Sequence, residues 1–262
     1  MIATMSSSPS IKQDGHTISI KVPDGMTVLE PILFEKLSEV MEFEVSVGEG
    51  ASVTIVTLAV MEKVRIVQRG KIGSHASIHW FNVTLGADVD QSLISEIVGE
   101  HGTSDMDWLF FATGSERQTI NARNNFSAPD GRGEIMMKGV AEGEAHVGCN
   151  GLIEIGLKGG GTNTYLTQNV LMLDPSARVD AIPGLEIKTN DVKASHSATI
   201  ARVTEEDLFY FAARGIPPET ARGMFIQGFL GAPVERISDA ATKELVIASI
   251  MRKYKEGAHL GK

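Results

Sequence analysis

One short turn unit recurs in the first half of this chain, and it restricts the fold more than any other feature. Residues 47–53 (VGEGASV) and 72–78 (IGSHASI) share the pattern apolar-Gly-x-x-Ala-Ser-apolar, and their starts lie 25 residues apart. Apolar and polar residues alternate on both sides of each unit, as in half-buried β-strands. Stacked coils need small residues where their backbones approach at a corner. The pattern predicts a β-solenoid, and a β-sandwich with glycine-rich hairpins is the alternative.

Composition restricts the class of protein further. The 262 residues include 27 glycines and only 6% aromatic residues, which favours many short strands and tight turns. The net charge is −9 without a Lys/Arg run, which argues against nucleic-acid binding and against adsorption on an anionic membrane. We find neither a secretory signal nor an apolar stretch of about 20 residues. We therefore expect a soluble, cytoplasmic protein with no membrane partner.

The pattern divides the chain into three regions. Residues 1–42 are predicted to be a lead-in with a strand and a short helix or loop, disordered up to about residue 14. Residues 43–203 are predicted to form the β core. Residues 204–262 have helical periodicity, and we expect these helices to pack beyond the strands. Thr204 and Asp207 predict a capping box at the first helix. The second helix should open at Pro217-Pro218, and the third should cover about 233–255.

Three local motifs are better explained by structure than by chemistry. His75 and His79 could share a metal only on a helix, because residues four apart in a strand lie about 13 Å from each other. The glycines at 159–161 lack the lysine and hydroxyl residues of a phosphate loop, so we interpret them as a solenoid corner or a flexible loop. Cys149 lies in an apolar strand and is the only cysteine, which excludes an internal disulfide. Its simplest interpretation is a small buried hydrophobic residue, with a free thiol as the alternative.

His196 stands between strands and helices, with the small neighbours Ala194, Ser195, Ser197 and Ala198. Small neighbours leave room for a second backbone, a ligand or another subunit. A satisfied histidine at the end of the β region is the alternative to a ligand or interface residue.

Several segments resemble the SufB/SufD family of scaffold proteins in SUF iron–sulfur cluster assembly. The resemblance covers about residues 43–235, and it is most specific between residues 182 and 216. The residues that carry it are Pro183-x-Leu185-Glu186-Ile187, residues 191–199 (DVKASHSAT), Leu208-Phe209-Tyr210, Arg214-Gly215-Ile216, residues 150–153 (NGLI), Gln168-Asn169-x-Leu171-Met172, and the turn at residues 47–51 (VGEGA).

The resemblance implies a mainly β fold. It consists of a right-handed parallel β-helix (β-solenoid) core and a small C-terminal α-helical domain. It also implies a non-enzymatic scaffold that works with a SufC-like ABC ATPase and pairs with a SufB-like partner or with itself as a dimer. The ATPase-docking candidates are Phe209, Tyr210, Arg214, Gly215 and Ile216, and the segment 191–199 is closer to SufD than to SufB. A transient iron–sulfur cluster at a subunit interface and flavin in the complex are the cofactors that the family suggests.

This chain departs from the SufB pattern at the residues that would bind iron. The family histidine at the subunit junction matches His196, which is the candidate cluster and metal ligand once a partner chain is present. The SufB junction cysteine corresponds to Ala177, and a SufB glutamate corresponds to Ser197. Cys149 matches no family sulfur acceptor convincingly. The chain alone therefore lacks the thiolates that an iron–sulfur site normally needs.

Two other functions remain open on the sequence. One is a homo-oligomeric β-solenoid scaffold without cluster-building activity. The other is a polysaccharide-acting β-helix enzyme, which would need paired carboxylates and aromatic sugar platforms. Two Trp and three Tyr make the enzyme the weaker alternative.

Overall fold

The computed structural model describes residues 8–35 and 37–260, and nearly all of this part is β-strand up to Arg202. The strands are β1 (Ser10–Asp14), β2 (Thr17–Val22), β3 (Ile32–Phe34), β4 (Val40–Val47), β5 (Ser52–Ala59), β6 (Lys63–Ile72), β7 (Ser77–Thr84), β8 (Asp88–Ile97), β9 (Thr103–Ala112), β10 (Arg117–Phe126), β11 (Arg132–Ala141), β12 (His146–Ile155), β13 (Asn163–Met172), β14 (Arg178–Ile187) and β15 (Lys193–Arg202). Three helices follow: α1 (Glu205–Ala212), α2 (Pro218–Val234) and α3 (Ala240–Leu260).

The strands form two sheets that face each other across one core. Sheet A has the order β1-β2-β4-β6-β8-β10-β12-β14, and sheet B has the order β15-β13-β11-β9-β7-β5-β3. From β2 and β3 onward, neighbours within each sheet run parallel and come from successive coils. The predicted β-solenoid is confirmed. The sandwich is wrong because sandwich sheets are built from antiparallel strands.

The coil length grows along the chain. Lys63 pairs with Asp88, and the same column continues through Arg117, His146 and Arg178, in steps of 25, 29, 29 and 32 residues. The 25-residue repeat in the sequence is therefore the length of an early coil. The extra residues lie in the later corners and in the strands of sheet B, which lengthen from eight residues in β7 to ten in β9.

One corner of the solenoid keeps the same backbone geometry from coil to coil. Gly50, His75, His101, Asp130 and Gly161 all have φ between 54° and 75°. The N–H of each donates to a carbonyl of the next coil, for example from Gly161 to Asp191 at 2.7 Å. The triple glycine therefore belongs to this corner, as predicted. Glycine suits it because φ near +60° is costly for most residues with a Cβ.

The helices do not pack beyond the strands, and that prediction is wrong. They fold back over the outer face of sheet B. There Ile226, Leu230 and Val234 of α2 join an apolar cluster with Phe81 and Phe111 of the sheet. The physical reason lies in runs such as WLFFA at residues 108–112, which are apolar on both faces of the strand. A sheet face of this kind has to be covered.

One prediction about the helices is confirmed, and another is wrong. The capping box at Thr204 is confirmed, with the Thr204 hydroxyl and the Asp207 carboxylate bonded reciprocally to backbone N–H groups. The third helix was placed too early, because Pro233 lies in the last turn of α2. In the structure α3 begins at Ala240, and Asp239 accepts a 2.7 Å hydrogen bond from the N–H of Thr242.

The β structure also starts earlier than residue 43. β2 pairs in parallel with β4, and β1 pairs antiparallel with β2 and covers the N-terminal edge of sheet A. Residues 10–14 are thus ordered as a strand, and residues 1–7 of the predicted lead-in lie outside the described residues. Between β2 and β4 the chain forms loop and the short β3, with no helix in the described part. None of the helices among the described residues is long and apolar enough to cross a bilayer.

Candidate functional site at the open end of the solenoid

The last coil, formed by β14 and β15, leaves one end of the solenoid uncovered. Within the described residues, β14 pairs only with β12 and β15 pairs only with β13, so each has one unpaired edge. The inward-facing residues of β13 are buried, whereas those of β15 are exposed or half-buried. Solenoids usually carry a polar cap at their ends. This end instead presents core positions to the surface, as a binding surface does.

His196 occupies one of these core positions. Its register places it above a column of buried residues that includes Trp80, Met106, Ile135 and Leu166. His196 itself is exposed because no coil lies above it. The imidazole therefore belongs to the inner face of the open end and can reach a group that closes the end.

Cys149 lies one coil deeper and on the opposite sheet. It faces the core in β12, between Ile120 and Ala181 in the register, and its exposed fraction is 0%. Burial raises the pKa of the Cys149 thiol to about 12, and the charge of Asp180 adds to this effect. At neutral pH it is a protonated, enclosed thiol, which binds iron poorly because the thiolate is the ligand.

The two positions where SufB carries iron-binding groups contribute none here. Ala177 is buried at a corner, and Ser197 points to the outer face of sheet B, where its Oγ accepts a hydrogen bond from Tyr165 at 2.9 Å. Among residues 8–35 and 37–260, no group of three or more His, Cys, Asp or Glu side chains is arranged to hold a metal ion.

Directly after β15, α1 presents an aromatic surface. No residue of α1 is buried, and Phe209 and Tyr210 are 74% and 56% exposed. The Arg214 guanidinium stacks 3.6 Å from the centre of the Tyr210 ring and donates to the Tyr210 carbonyl. Gly215, with φ +76°, ends this segment and turns the chain toward α2, next to the half-buried Ile216. The structure thus groups the five predicted docking residues beside the open end.

The sequence prediction missed the contacts that fix the helices in place. Asp107, only 1% exposed, accepts hydrogen bonds from Arg236 at 3.0 Å and from His79 at 2.8 Å. His79 therefore orients a carboxylate and does not pair with His75, which stacks on His101 at the corner. Asp107 and Arg236 are 129 residues apart, so no local pattern could have joined them.

A second set of charged contacts holds the other ends of the helices. Arg222 of α2 bonds to Asp174 at 3.1 Å and approaches Glu142 at 3.5 Å, while Lys253 of α3 pairs with Glu116. Burial acts to raise the pKa of Asp174, but hydrogen bonds from Gly143 and Arg222 outweigh it and lower that pKa. Burial raises the pKa of Glu142, which accepts from Thr113 as well. In each contact the helices supply the cation and the solenoid supplies the carboxylate.

Comparison with known proteins agrees with this geometry. Residues 27–229 match the family model described as SUF system FeS cluster assembly, SufBD core domain. A protein of Mycobacterium tuberculosis named as an iron–sulfur cluster assembly SufBD family protein is 30% identical over 189 residues, which cover 69% of this chain and 48% of that protein. A Mycobacterium leprae protein of the same description is 30% identical over 188 residues, covering 68% and 48%.

A second Mycobacterium tuberculosis protein of this description is 26% identical over 166 residues, which cover 63% of this chain and 20% of that protein. The chain spans about half the length, or less, of these relatives. The closer likeness to the SufD branch stays a prediction.

Proposed function

The chain belongs to the SufBD family of iron–sulfur cluster assembly proteins, and on that premise we propose that it is a scaffold subunit of a SUF-type assembly complex in the cytoplasm. The observation that carries the proposal is the open end of the solenoid, with core positions exposed and His196 among them. An unpaired parallel edge offers backbone donors and acceptors to a second chain. The scaffold role needs no bond-breaking chemistry from this chain.

The ATPase partner is proposed to bind the surface formed by Phe209, Tyr210 and Arg214. Exposed aromatic and arginine side chains dominate the binding free energy of many protein interfaces. Here the Arg214 guanidinium and the Tyr210 ring already support each other, so little side-chain entropy is lost on binding. The surface lies on α1, which is separated from the end of β15 by two residues, so an ATPase bound there would be close to the proposed subunit junction.

A pull-down with a SufC-like ABC ATPase tests this partner. We expect the wild-type chain to retain the ATPase, and Phe209→Ala combined with Tyr210→Ala to weaken binding by about tenfold or more. Leu29→Ala is the matched control, because Leu29 is an equally exposed apolar residue near the far end of the solenoid. Absence of a complex with and without ATP, or equal losses in both variants, would count against the proposal.

The iron–sulfur cluster is proposed as cargo held between chains. Among the described residues that face inward on β14 and β15, His196 is the one side chain that can ligate iron, since Cys149 is enclosed and protonated. Thiolate ligands would therefore have to come from the partner. Anaerobic reconstitution of the complex compares wild type with His196→Ala. We expect less iron and sulfide in the variant, and equal contents would remove His196 as a ligand.

The scarcity of iron ligands in this chain also supports a second candidate function. A homo-oligomeric scaffold that does not build clusters would use the open end for assembly alone. It predicts that the purified homo-oligomer takes up no iron or sulfide, with or without His196, while its oligomeric state is unchanged. Cluster uptake that depends on His196 would contradict it.

A further inference from the structure

Two histidines stack on each other at the corner of the solenoid where the backbone has positive φ. His75 and His101 lie on successive coils, and their ring centres are 4.9 Å apart with 26° between the ring planes. The N–H of His75 donates to the carbonyl of Glu100 at 2.8 Å, directly before His101. The backbone therefore fixes the two imidazoles side by side on the surface.

Histidine occupies these two positions at a conformational cost. The φ angle is 54° at His75 and 55° at His101, in the left-handed region that most residues with a Cβ avoid. Other coils place Gly50 and Gly161 at the same corner, so glycine fits there without this cost. Strained positions of this kind are concentrated at functional sites. The two rings are therefore the first place to look for a second site.

Each imidazole has a carboxylate beside it. Glu100 Oε1 lies 3.9 Å from His75 Nε2, and Asp130 Oδ2 lies 3.9 Å from His101 Nε2. Within residues 8–35 and 37–260, neither carboxylate forms a salt bridge with a Lys or Arg side chain. All four side chains are about half exposed, between 47% and 58%. The corner thus combines nitrogen donors with negative charge that no Lys or Arg neutralises, and it is open to solvent.

We propose that His75 and His101 chelate one divalent transition-metal ion of the class that imidazole favours, to which Zn²⁺ and Ni²⁺ belong. Two nitrogens at about 2.0–2.1 Å from one ion lie about 3.0–3.4 Å from each other. The coil spacing of about 4.8 Å separates the two side chains at their Cα atoms, and half-exposed rings can incline to close the rest. Water completes the coordination, so the chelate needs no third side chain.

Glu100 and Asp130 assist the binding of the ion without having to ligate it. Their charges attract a divalent cation to the corner. A carboxylate that accepts the other ring N–H also orients a metal-binding imidazole. The corner lies three coils from Asp191 in the last coil, which is about 14 Å at the coil spacing. The metal site is therefore separate from His196 and does not depend on the proposed subunit junction.

Calorimetric titration with Ni²⁺ at neutral pH tests the site, on a chain purified without a histidine tag. We expect His75→Gly and His101→Gly each to weaken Ni²⁺ binding at this site by at least about tenfold, since even the loss of an outer-sphere partner costs that much. Both variants should fold, because glycine already occupies this corner in other coils. His146→Ala is the matched control, because His146 is also exposed beside a carboxylate, Asp180, but has no second imidazole stacked on it. This variant should bind Ni²⁺ as the wild type does.

Two further measurements distinguish a chelate from a structural stack. Ni²⁺ should raise the thermal unfolding midpoint of the wild type and not that of His75→Gly, because an ion that joins two coils stabilises only the folded state. Mg²⁺ should not compete with Ni²⁺, because it prefers oxygen ligands. Wild-type affinity in either glycine variant, or equal losses in His146→Ala, would overturn the proposal. Effective competition by Mg²⁺ would also overturn it, since the carboxylates alone would then be the ligands.

Discussion

Cys149 provides the most direct test of whether this chain can supply a thiolate. Burial, with a smaller contribution from the Asp180 charge, raises its pKa to about 12. An exposed thiol with a pKa of about 8.5 is roughly a quarter ionised at pH 8, whereas a pKa of about 12 leaves roughly one molecule in 10⁴ ionised. The thiolate fraction is therefore on the order of 10³ lower in the fold than in an exposed cysteine.

The experiment adds a chromogenic disulfide reagent to the native protein at pH 8 and follows the release of its thiolate. We expect a rate at least about 10³ below that of a small-molecule thiol, because enclosure adds to the loss of thiolate. The same protein in 6 M guanidinium should react with one equivalent at the ordinary rate. A native rate comparable to that of the free thiol would refute the reasoning and restore Cys149 as a candidate ligand.

The same pKa predicts a stability change at alkaline pH. The fold favours the neutral thiol, so the stabilisation is fully present below the unfolded pKa of about 8.5 and is lost as pH rises toward 12. In that window the difference in unfolding free energy between wild type and Cys149→Ala should fall by up to about 1.4 kcal/mol per pH unit. Urea unfolding at pH 7, 8, 9 and 10 measures it, and a difference that does not change with pH would contradict the assigned cause.

Three further changes test the framework that holds the site. Asp107→Asn removes a buried carboxylate with two basic neighbours, and we expect the free energy of unfolding in urea to fall by about 1.5–3 kcal/mol. Asp90→Asn is the control, because Asp90 forms an exposed ion pair and its loss should cost less than about 1 kcal/mol. Gly139→Ala places a methyl group where it would overlap the Phe110 ring, and it should cost about 1–3 kcal/mol in the same measurement. Thr204→Ala removes the cap of α1 and should cost about 1 kcal/mol, with faster amide hydrogen exchange confined to that helix. Equal losses for the two Asp variants, an unchanged Gly139→Ala protein, or exchange that rises throughout the chain would each contradict the stated cause.

Much of the architecture could be predicted because its signals are local. Alternation of apolar and polar residues marks the strands, and the unit at residues 47–53 and 72–78 marks a corner where small residues meet. The capping box at Thr204 also needs only four consecutive residues. These features depend on neighbours within one coil, so the sequence contains their whole cause.

The path of the helices could not be predicted in the same way. The run at residues 108–112 is apolar on both faces of its strand, but nothing in the run identifies the segment that covers the outer face. The stretch of chain between Asp107 and Arg236 contains three coils of the solenoid and two helices. Its partners come together only when sheet B exists as a surface.

Some properties of the candidate site have local causes in the sequence, and others depend on the whole fold. The sequence by itself determined the stacked coils, the corner glycines, the enclosed setting of Cys149 and the presence of His196 among small residues, because periodicity and side-chain size act over short distances. Only the tertiary structure decided that His196 lies on a core column at an uncovered end and that Phe209 and Tyr210 lie exposed beside it. Those properties depend on which strand is last in each sheet and on the direction of its hydrogen bonds, and both are set by the stacking of the whole solenoid.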